Sequence, residues 1–116
     1  MDAPAPIRIR AAKTDEIPWI ERLLTQAWGS TTVVSRGTAH DASRLPALLA
    51  LQGDQIVGLA TFRCDGSECE LVTLDALGRR QGIGSALLAG VRAEAVRRGC
   101  RRLWLITTND NLDASR

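Results

Sequence analysis

The segment at residues 79–85 is rich in glycine and arginine and has the composition of an anion-binding loop. Gly82 and Gly84 lack a β-carbon, so the backbone there can approach a bulky anion closely. Arg79 and Arg80 add cationic hydrogen-bond donors. The segment lies where a helix is predicted to begin, and the free N–H groups of a helix N-terminus bind phosphate. The sequence therefore predicts a phosphate-binding turn, with a ligand-free glycine turn as the alternative.

The pattern of this loop differs from two common phosphate-binding motifs. It lacks the Lys-Ser/Thr pair of the P-loop, and the dinucleotide fingerprint requires G-x-G-x-x-G. The loop carries Arg79-x-x-Gly82-x-Gly84 instead. The identity of the phosphate compound thus depends on the elements around the loop.

Apolar periodicity predicts the elements that position this loop. Alternating residues indicate a first strand, and apolar residues at helical spacing after a predicted N-cap at Thr14 indicate the first helix. Three apolar runs separated by turn residues predict an antiparallel meander, and the strand, helix and strand that follow predict a parallel βαβ unit. Gly58, inside its strand, indicates a bulge or a close backbone approach. The predicted strands are 7–10, 47–52, 55–63, 68–74 and 101–107, and the predicted helices are 15–28 and 83–98.

The segment between the first helix and the meander has weak periodicity. A short strand is compatible with Thr31–Val34, whereas 35–38 and 40–43 have loop composition. A long loop inside a compact domain often carries function. The segment contains the chain's one histidine, His40, which can serve as a base or substrate contact or can be an exposed or capping residue.

The run at 71–88 resembles the acetyl-CoA motif of the GNAT N-acetyltransferase superfamily. The strand after it, followed by Asn-Asp-Asn-Leu-Asp-Ala at 109–114, is also similar to that family's fifth strand and the turn behind it. The resemblance implies a single domain over residues 1–116, with a mixed α/β sheet in which an antiparallel meander precedes a βαβ unit. It also implies acetyl-CoA as cosubstrate, no metal, and transfer of an acetyl group to an amine-bearing small molecule or peptide.

The resemblance assigns binding roles to individual residues. In this family the fourth strand, which corresponds to the predicted strand 68–74, usually bulges away from the fifth, which corresponds to 101–107. The cofactor lies in the gap between them. The end of the predicted third meander strand would pair with the pantetheine arm. The glycine loop would hold the pyrophosphate through its backbone N–H groups, with the arginines beside it. The asparagine after the last strand would contact pantetheine. The residues so implied are Leu74, Ala76, Arg79, Arg80, Gln81, Gly82, Ile83, Gly84, Ser85 and Asn111.

A carboxylate near the strand end would serve the mechanism that the resemblance implies. The amine must lose a proton before it attacks the thioester, and a carboxylate acting through water can accept it. Strand alternation puts Glu68 and Glu70 on one face and Leu71 on the other. Glu70 is our candidate for the base, and a solvated surface glutamate is the alternative.

The C-terminal end departs from the family pattern. The family continues beyond residue 114 into a helix with a tyrosine, the usual acid for the departing thiolate, and into two further strands. This sequence ends at Arg116 and contains no tyrosine. We therefore expect either a truncated form or a second copy or partner that covers the open edge of strand 101–107, whose apolar residues we predict to be buried on both faces. A non-catalytic module that binds coenzyme A is the alternative function.

Composition excludes several other classes of protein. With 45% apolar and 24% charged residues and a net charge of +2, the chain is typical of a globular domain. Aromatic residues make up 3%, too few to interleave with a basic nucleic-acid-binding stripe. No apolar run has the length of a membrane span. The N-terminus resembles no secretory signal, and the three cysteines lack metal-ligand spacing, so we expect reduced thiols in a cytoplasmic protein. Cys64 and Cys69 are predicted to flank a turn.

Overall fold

The fold was analysed in a computed structural model, which describes residues 6–35, 37–77 and 82–105. The strands are β1 Ile7–Ala11, β2 Thr32–Ser35, β3 Thr38–Asp41, β4 Ala47–Gln52, β5 Gln55–Asp65, β6 Glu68–Ala76 and β7 Arg102–Leu105, and the α-helices are α1 Ile17–Trp28 and α2 Ile83–Arg97. The expectations for Arg79, Arg80, Gln81 and Asn111 lie outside the described residues.

The main sheet has five strands in the order β1-β4-β5-β6-β7. Its neighbours are antiparallel from β1 to β6, whereas β7 runs parallel to β6 after the α2 crossover. The predicted meander and βαβ unit are therefore confirmed, and the fold class is a mixed α/β sheet.

The two helices cover opposite faces of this sheet. Ile20 and Leu24, spaced four residues apart on α1, pack against one set of strand residues that includes Leu49 and Leu59. On α2, every fourth residue from Ile83 to Ala95 is buried against the other set. Alternate residues along β4 and β5 thus enter different cores, as strand geometry requires. We call these the α1 face and the α2 face of the sheet.

Two sequence expectations before β4 are wrong. Thr38, His40 and Asp41, predicted as loop, lie in β3, which pairs antiparallel with β2. Strand β2 itself agrees with the short strand compatible with Thr31–Val34. Thr14, predicted as the N-cap, is the first residue of a 3₁₀ turn over Thr14–Glu16. The backbone N–H of Lys13 donates to Glu16 Oε1 at 2.7 Å, so the capping contact lies one residue earlier.

Gly58 marks both a bulge and a close approach. The β4–β5 register shifts between Ala50 and Leu51, next to the partner position of Gly58. A β-carbon built at Gly58 would lie 2.7 Å from Ile83 Cγ2 and 2.9 Å from Leu87 Cδ1. The missing side chain lets the first turn of α2 rest directly on β5, which fixes the position of the predicted phosphate loop.

The last strand is less buried than predicted. Leu103 and Trp104 are each only partly buried, because β7 lies at the edge of the described sheet. Residues 106–107 of the predicted strand lie outside the described part of the chain.

Three free cysteines lie near the β5–β6 turn. Cys64 and Cys69 are direct cross-strand partners, as their predicted place beside the turn allows. Burial, with the neighbouring Cys64 thiol, raises the pKa of Cys69 to about 12. A thiol with a raised pKa is a poor nucleophile at neutral pH, so Cys69 has the chemistry of a packed thiol. No helix within the described ranges is long and apolar enough to cross a bilayer.

Candidate active site

The start of α2 presents backbone donors that make no bond within the helix. Gly82 is the N-cap, with a φ of 95° that favours glycine, and it makes no side-chain cap. The first helical bond runs from Ala86 N–H to the Gly82 carbonyl at 2.9 Å. The N–H groups of Gly84 and Ser85 precede that bond and have no acceptor within the helix. Gly82 and Ser85 are exposed, so this end of the helix can receive an anion from solvent.

Ile83 holds this loop to the body of the protein. Its side chain is 1% exposed and lies in the α2-face core, where Leu74 is also buried. Ala76, at the end of β6, is exposed and pairs with Gly58. The predicted strand end and residues 82–85 of the predicted loop therefore lie at the two ends of the connection between β6 and α2.

A β-bulge interrupts β6 in its middle. Thr61 pairs with Thr73, but the next residue of β5, Phe62, pairs with Leu71. Val72 is the extra residue in β6, and a bulge of this kind re-aims the residues on either side of it. The described ladder between β6 and β7 reaches Leu71 and Leu105, so the bulge lies just beyond its last described pair.

Glu70 is buried on the α1 face, just before the bulge. It is 3% exposed, so the alternative of a solvated surface glutamate is wrong. It is buried because β6 lies inside the sheet, with Arg63 and Trp104 as its cross-strand partners. Arg63 Nη1 donates to Glu70 Oε1 at 3.4 Å. Glu68 and Glu70 line one small cavity, as expected for two residues on the same face of the strand.

The sequence reading missed a second buried carboxylate, Asp75. It is 2% exposed, and Trp28 Nε1 donates to both of its oxygens, at 3.1 Å to Oδ1 and 2.9 Å to Oδ2. Burial raises the pKa of Asp75, and the indole hydrogen bond opposes that shift. One signal was visible in the sequence: a single charge inside the apolar run from Leu71 to Leu77.

The bulge brings the two carboxylates onto one face. Glu70 and Asp75 are five positions apart, and regular alternation would put them on opposite faces. Cross-strand partners share a face, and Asp75 pairs with Leu59 of the α1-face core. Glu70 pairs with Arg63, four residues further along β5 from Leu59 and so on the same face. With the extra residue Val72 in between, both acids therefore face α1.

His40 lies in β3 rather than in a loop. Its side chain is partly buried, and its Nε2 atom is buried without a hydrogen-bond partner among the described residues. Within the same residues, no group of three or more His, Cys, Asp or Glu side chains is arranged to hold a metal ion.

Comparison with known proteins decides the family. The sequence profile of the GNAT acetyltransferase family matches residues 12–116. This chain belongs to the GNAT family. The GNAT chain is also 35% identical over 88 residues to the protein YdhI of Bacillus subtilis strain 168, a match that covers 75% of this chain. That match spans 55% of YdhI, so the chain corresponds to about half of its relative.

Two solved structures share the fold of this GNAT chain. Aminoglycoside N-acetyltransferase AAC(6')-Iy, solved with CoA, superimposes with a TM-score of 0.70 at 19% identity and covers 98% of this chain and 85% of its own. The ribosomal-protein-alanine N-acetyltransferase of Brucella melitensis biovar Abortus 2308 gives a TM-score of 0.68 at 17% identity, covering 94% and 86%. At these identities the similarity shows the fold.

Proposed function

We propose that this chain transfers an acetyl group from acetyl-CoA to a primary amine of a small molecule or peptide, by direct attack of the amine on the thioester. The observation that carries the proposal is the start of α2. It combines a left-handed glycine N-cap, first-turn N–H groups that precede the first helical bond, and an exposed surface at the position of the GNAT glycine loop. The fold relatives that are named as N-acetyltransferases support the reaction class.

The cofactor would follow the line from α2 to the end of β6. In this proposal the pyrophosphate lies on the backbone of residues 82–85, where a helix dipole favours negative charge. Arg79, Arg80 and Gln81 would lie beside it, and Asn111 would contact the pantetheine arm. Leu74 and Ala76 would pair with the same arm through their backbone groups, because Ala76 ends the strand and is exposed.

Catalysis in this proposal requires a base for the amine proton and a hydrogen-bond donor for the thioester carbonyl. Glu70 accepts a hydrogen bond from Arg63 as a carboxylate, and a carboxylate can take the amine proton through a water. A backbone N–H at the Val72 bulge polarises the thioester carbonyl, in the manner of an oxyanion hole. The amine attacks the carbonyl carbon, the C–S bond breaks, and the thiolate leaves. The sequence has no tyrosine to protonate that thiolate, which is itself a tolerable leaving group.

The acceptor is proposed to be a cationic amine. AAC(6')-Iy is named for aminoglycosides and the Brucella enzyme for a ribosomal-protein alanine, and both kinds of acceptor present a primary amine. Basic residues in the segment 30–44 are compatible with an additional acidic group on the acceptor.

Calorimetry with acetyl-CoA tests the cofactor site. We expect binding to the wild type and at least a tenfold loss, about 1.4 kcal/mol, when Gly82→Asp and Gly84→Asp place negative charge where the pyrophosphate binds. The double variant Gly53→Asp with Gly66→Asp is the matched control, because it adds the same two charges at positive-φ glycines in the β4–β5 and β5–β6 turns. Equal affinity of the double variant and the wild type would contradict the site.

A transfer assay tests the reaction itself. Release of the CoA thiol is followed with sisomicin and with an alanine-amide peptide as acceptors. Thiol release that depends on the amine supports acetyl transfer. Tight acetyl-CoA binding without release to any amine would favour the non-catalytic module instead.

A further inference from the structure

The Asp75 carboxylate is buried with one neutral donor. Trp28 Nε1 serves both of its oxygens, and none of the ion pairs among the described residues involves Asp75. Its direct strand partner is Leu59, which is fully buried in the α1-face core. An ionised carboxylate in such surroundings costs several kcal/mol unless a positive charge compensates it. The described residues therefore supply no counter-charge for the ionised form of Asp75.

This carboxylate lies close to the surface along the chain. Thr73 and Asp75 are buried, but Ala76 and Leu77 directly after them are exposed. Trp28 is the last residue of α1, and Gly29 ends that helix. The two residues therefore mark the point at which β6 and α1 both emerge from the α1-face core.

The side chain of Asp75 also points away from the α2-face core, which holds the start of α2 where the cofactor is proposed to bind. Leu74 belongs to the α2-face core with Ile83, whereas Asp75 faces α1. Pantetheine paired with the backbone on either side of Asp75 would place the thioester at this strand, with the carboxylate on the opposite face. A second substrate that approaches from the α1 side would meet that carboxylate.

We propose that Asp75, oriented by Trp28, is the subsite that binds an ammonium group of the acceptor. The inference rests on the proposed acetyl transfer and adds the group that selects a cationic acceptor. The ligand class is a protonated primary alkylamine, which donates to carboxylate oxygens and supplies the missing charge. Binding is non-covalent. Trp28 is a positioning residue, because it contacts the carboxylate and not the acceptor.

A matched pair of ligands tests this subsite. n-Butylammonium and n-butanol have the same chain length and differ in charge, and each is titrated into protein saturated with acetyl-CoA. We expect the wild type to prefer the ammonium at least tenfold. Asp75→Asn removes the preference without changing the affinity for acetyl-CoA, whereas Glu68→Gln, the matched control on the same strand, keeps it. A wild type without the preference, or an Asp75→Asn variant that retains it, overturns the proposal.

A measurement on the wild type covers the case in which Asp75→Asn does not fold. The indole N–H resonance of Trp28 is assigned by its disappearance in Trp28→Phe. We expect this resonance to shift on addition of n-butylammonium and to stay in place with n-butanol. Identical responses to the two ligands overturn the subsite and leave the Trp28–Asp75 bond as a structural tie between α1 and β6.

The proposed acetyl transfer and the Asp75 subsite can be contradicted separately. If acetyl-CoA does not bind, the proposed function is contradicted, and the same titrations on the unliganded protein still decide whether Asp75 recognises an ammonium. If acetyl-CoA binds and the ammonium preference is absent, only the subsite is lost.

Discussion

At the scale of single residues, the site depends on one extra residue in β6. Val72 lets Glu70 and Asp75 face the same helix although they are an odd number of positions apart. The sequence predicted the face of Glu70 relative to Glu68 and Leu71, because that stretch precedes the bulge. It did not reveal the shared face of the two acids, because the family resemblance implied a bulge without its position, and an extra apolar residue does not show in the sequence pattern.

Replacing Glu70 by glutamine tests its proposed role as base. The amide keeps the size of the side chain but cannot take a proton, so we expect the turnover number to fall about 100-fold, within the range for general bases, with an unchanged affinity for acetyl-CoA. Glu68→Gln is the control and should leave turnover within a factor of about two. Full activity of Glu70→Gln would exclude Glu70 as the base.

The ion pair between Arg10 and Glu16 should contribute stability that depends on pH. Arg10 donates two hydrogen bonds to Glu16, at 2.9 and 2.8 Å, and this donation is the main cause that lowers the pKa of Glu16 to about 2. A lowered pKa stabilises the fold above the unfolded value, near 4.5, and this contribution is lost as the pH falls from there towards 2.

Acid denaturation of Glu16→Gln measures that contribution. Because solvent screens this partly exposed pair, we expect a loss of about 1 kcal/mol in the free energy of unfolding at pH 7, shrinking towards zero near pH 2. Glu21→Gln on α1 is the control. A stability difference that stays constant between pH 7 and pH 2 would contradict the linkage.

At the scale of elements, close packing of α2 on β5 fixes the start of α2, where we propose that the pyrophosphate binds. The meander, the crossover helix and the parallel last strand could all be predicted, because each has a strong apolar period and turn residues at its ends. Strand β2 was compatible with the sequence, whereas β3 was not predicted, because its residues follow no apolar period and only its pairing with β2 defines it. The start of α1 was misplaced because the cap is made by the side chain of Glu16, inside the 3₁₀ turn, and not by Thr14.

Gly58→Ala tests whether that packing positions the loop. The added methyl would lie 2.7 Å from Ile83 Cγ2, so α2 must shift. We expect a loss of about 1–3 kcal/mol in the free energy of unfolding, together with weaker acetyl-CoA binding. Gly90→Ala is the comparison, since its methyl meets Ile9 and Leu48 at 3.0 Å, two turns further along the same helix. It should change stability without changing cofactor affinity; an equal effect of the two variants on affinity would refute the positioning argument.

At the scale of the whole molecule, the sites proposed for the two substrates lie on opposite faces of the sheet. The glycine loop begins the helix on one face, and both buried carboxylates lie on the other, so acetyl-CoA and the amine would meet at the strand between them. The GNAT family and the fold followed from the arrangement of the whole sequence. The acceptor did not, because the group proposed to recognise it combines residues 47 positions apart, on α1 and β6.

The most direct test of this account is a titration of the ¹⁵N-labelled protein with acetyl-CoA, followed through the backbone amide resonances. We expect large downfield proton shifts for Gly84 and Ser85, whose N–H groups would bond the pyrophosphate, while Gly53 and Gly66 in the distant turns stay unchanged. Saturable binding that leaves the amides at the start of α2 unperturbed would contradict the central claim that this helix end is the cofactor site.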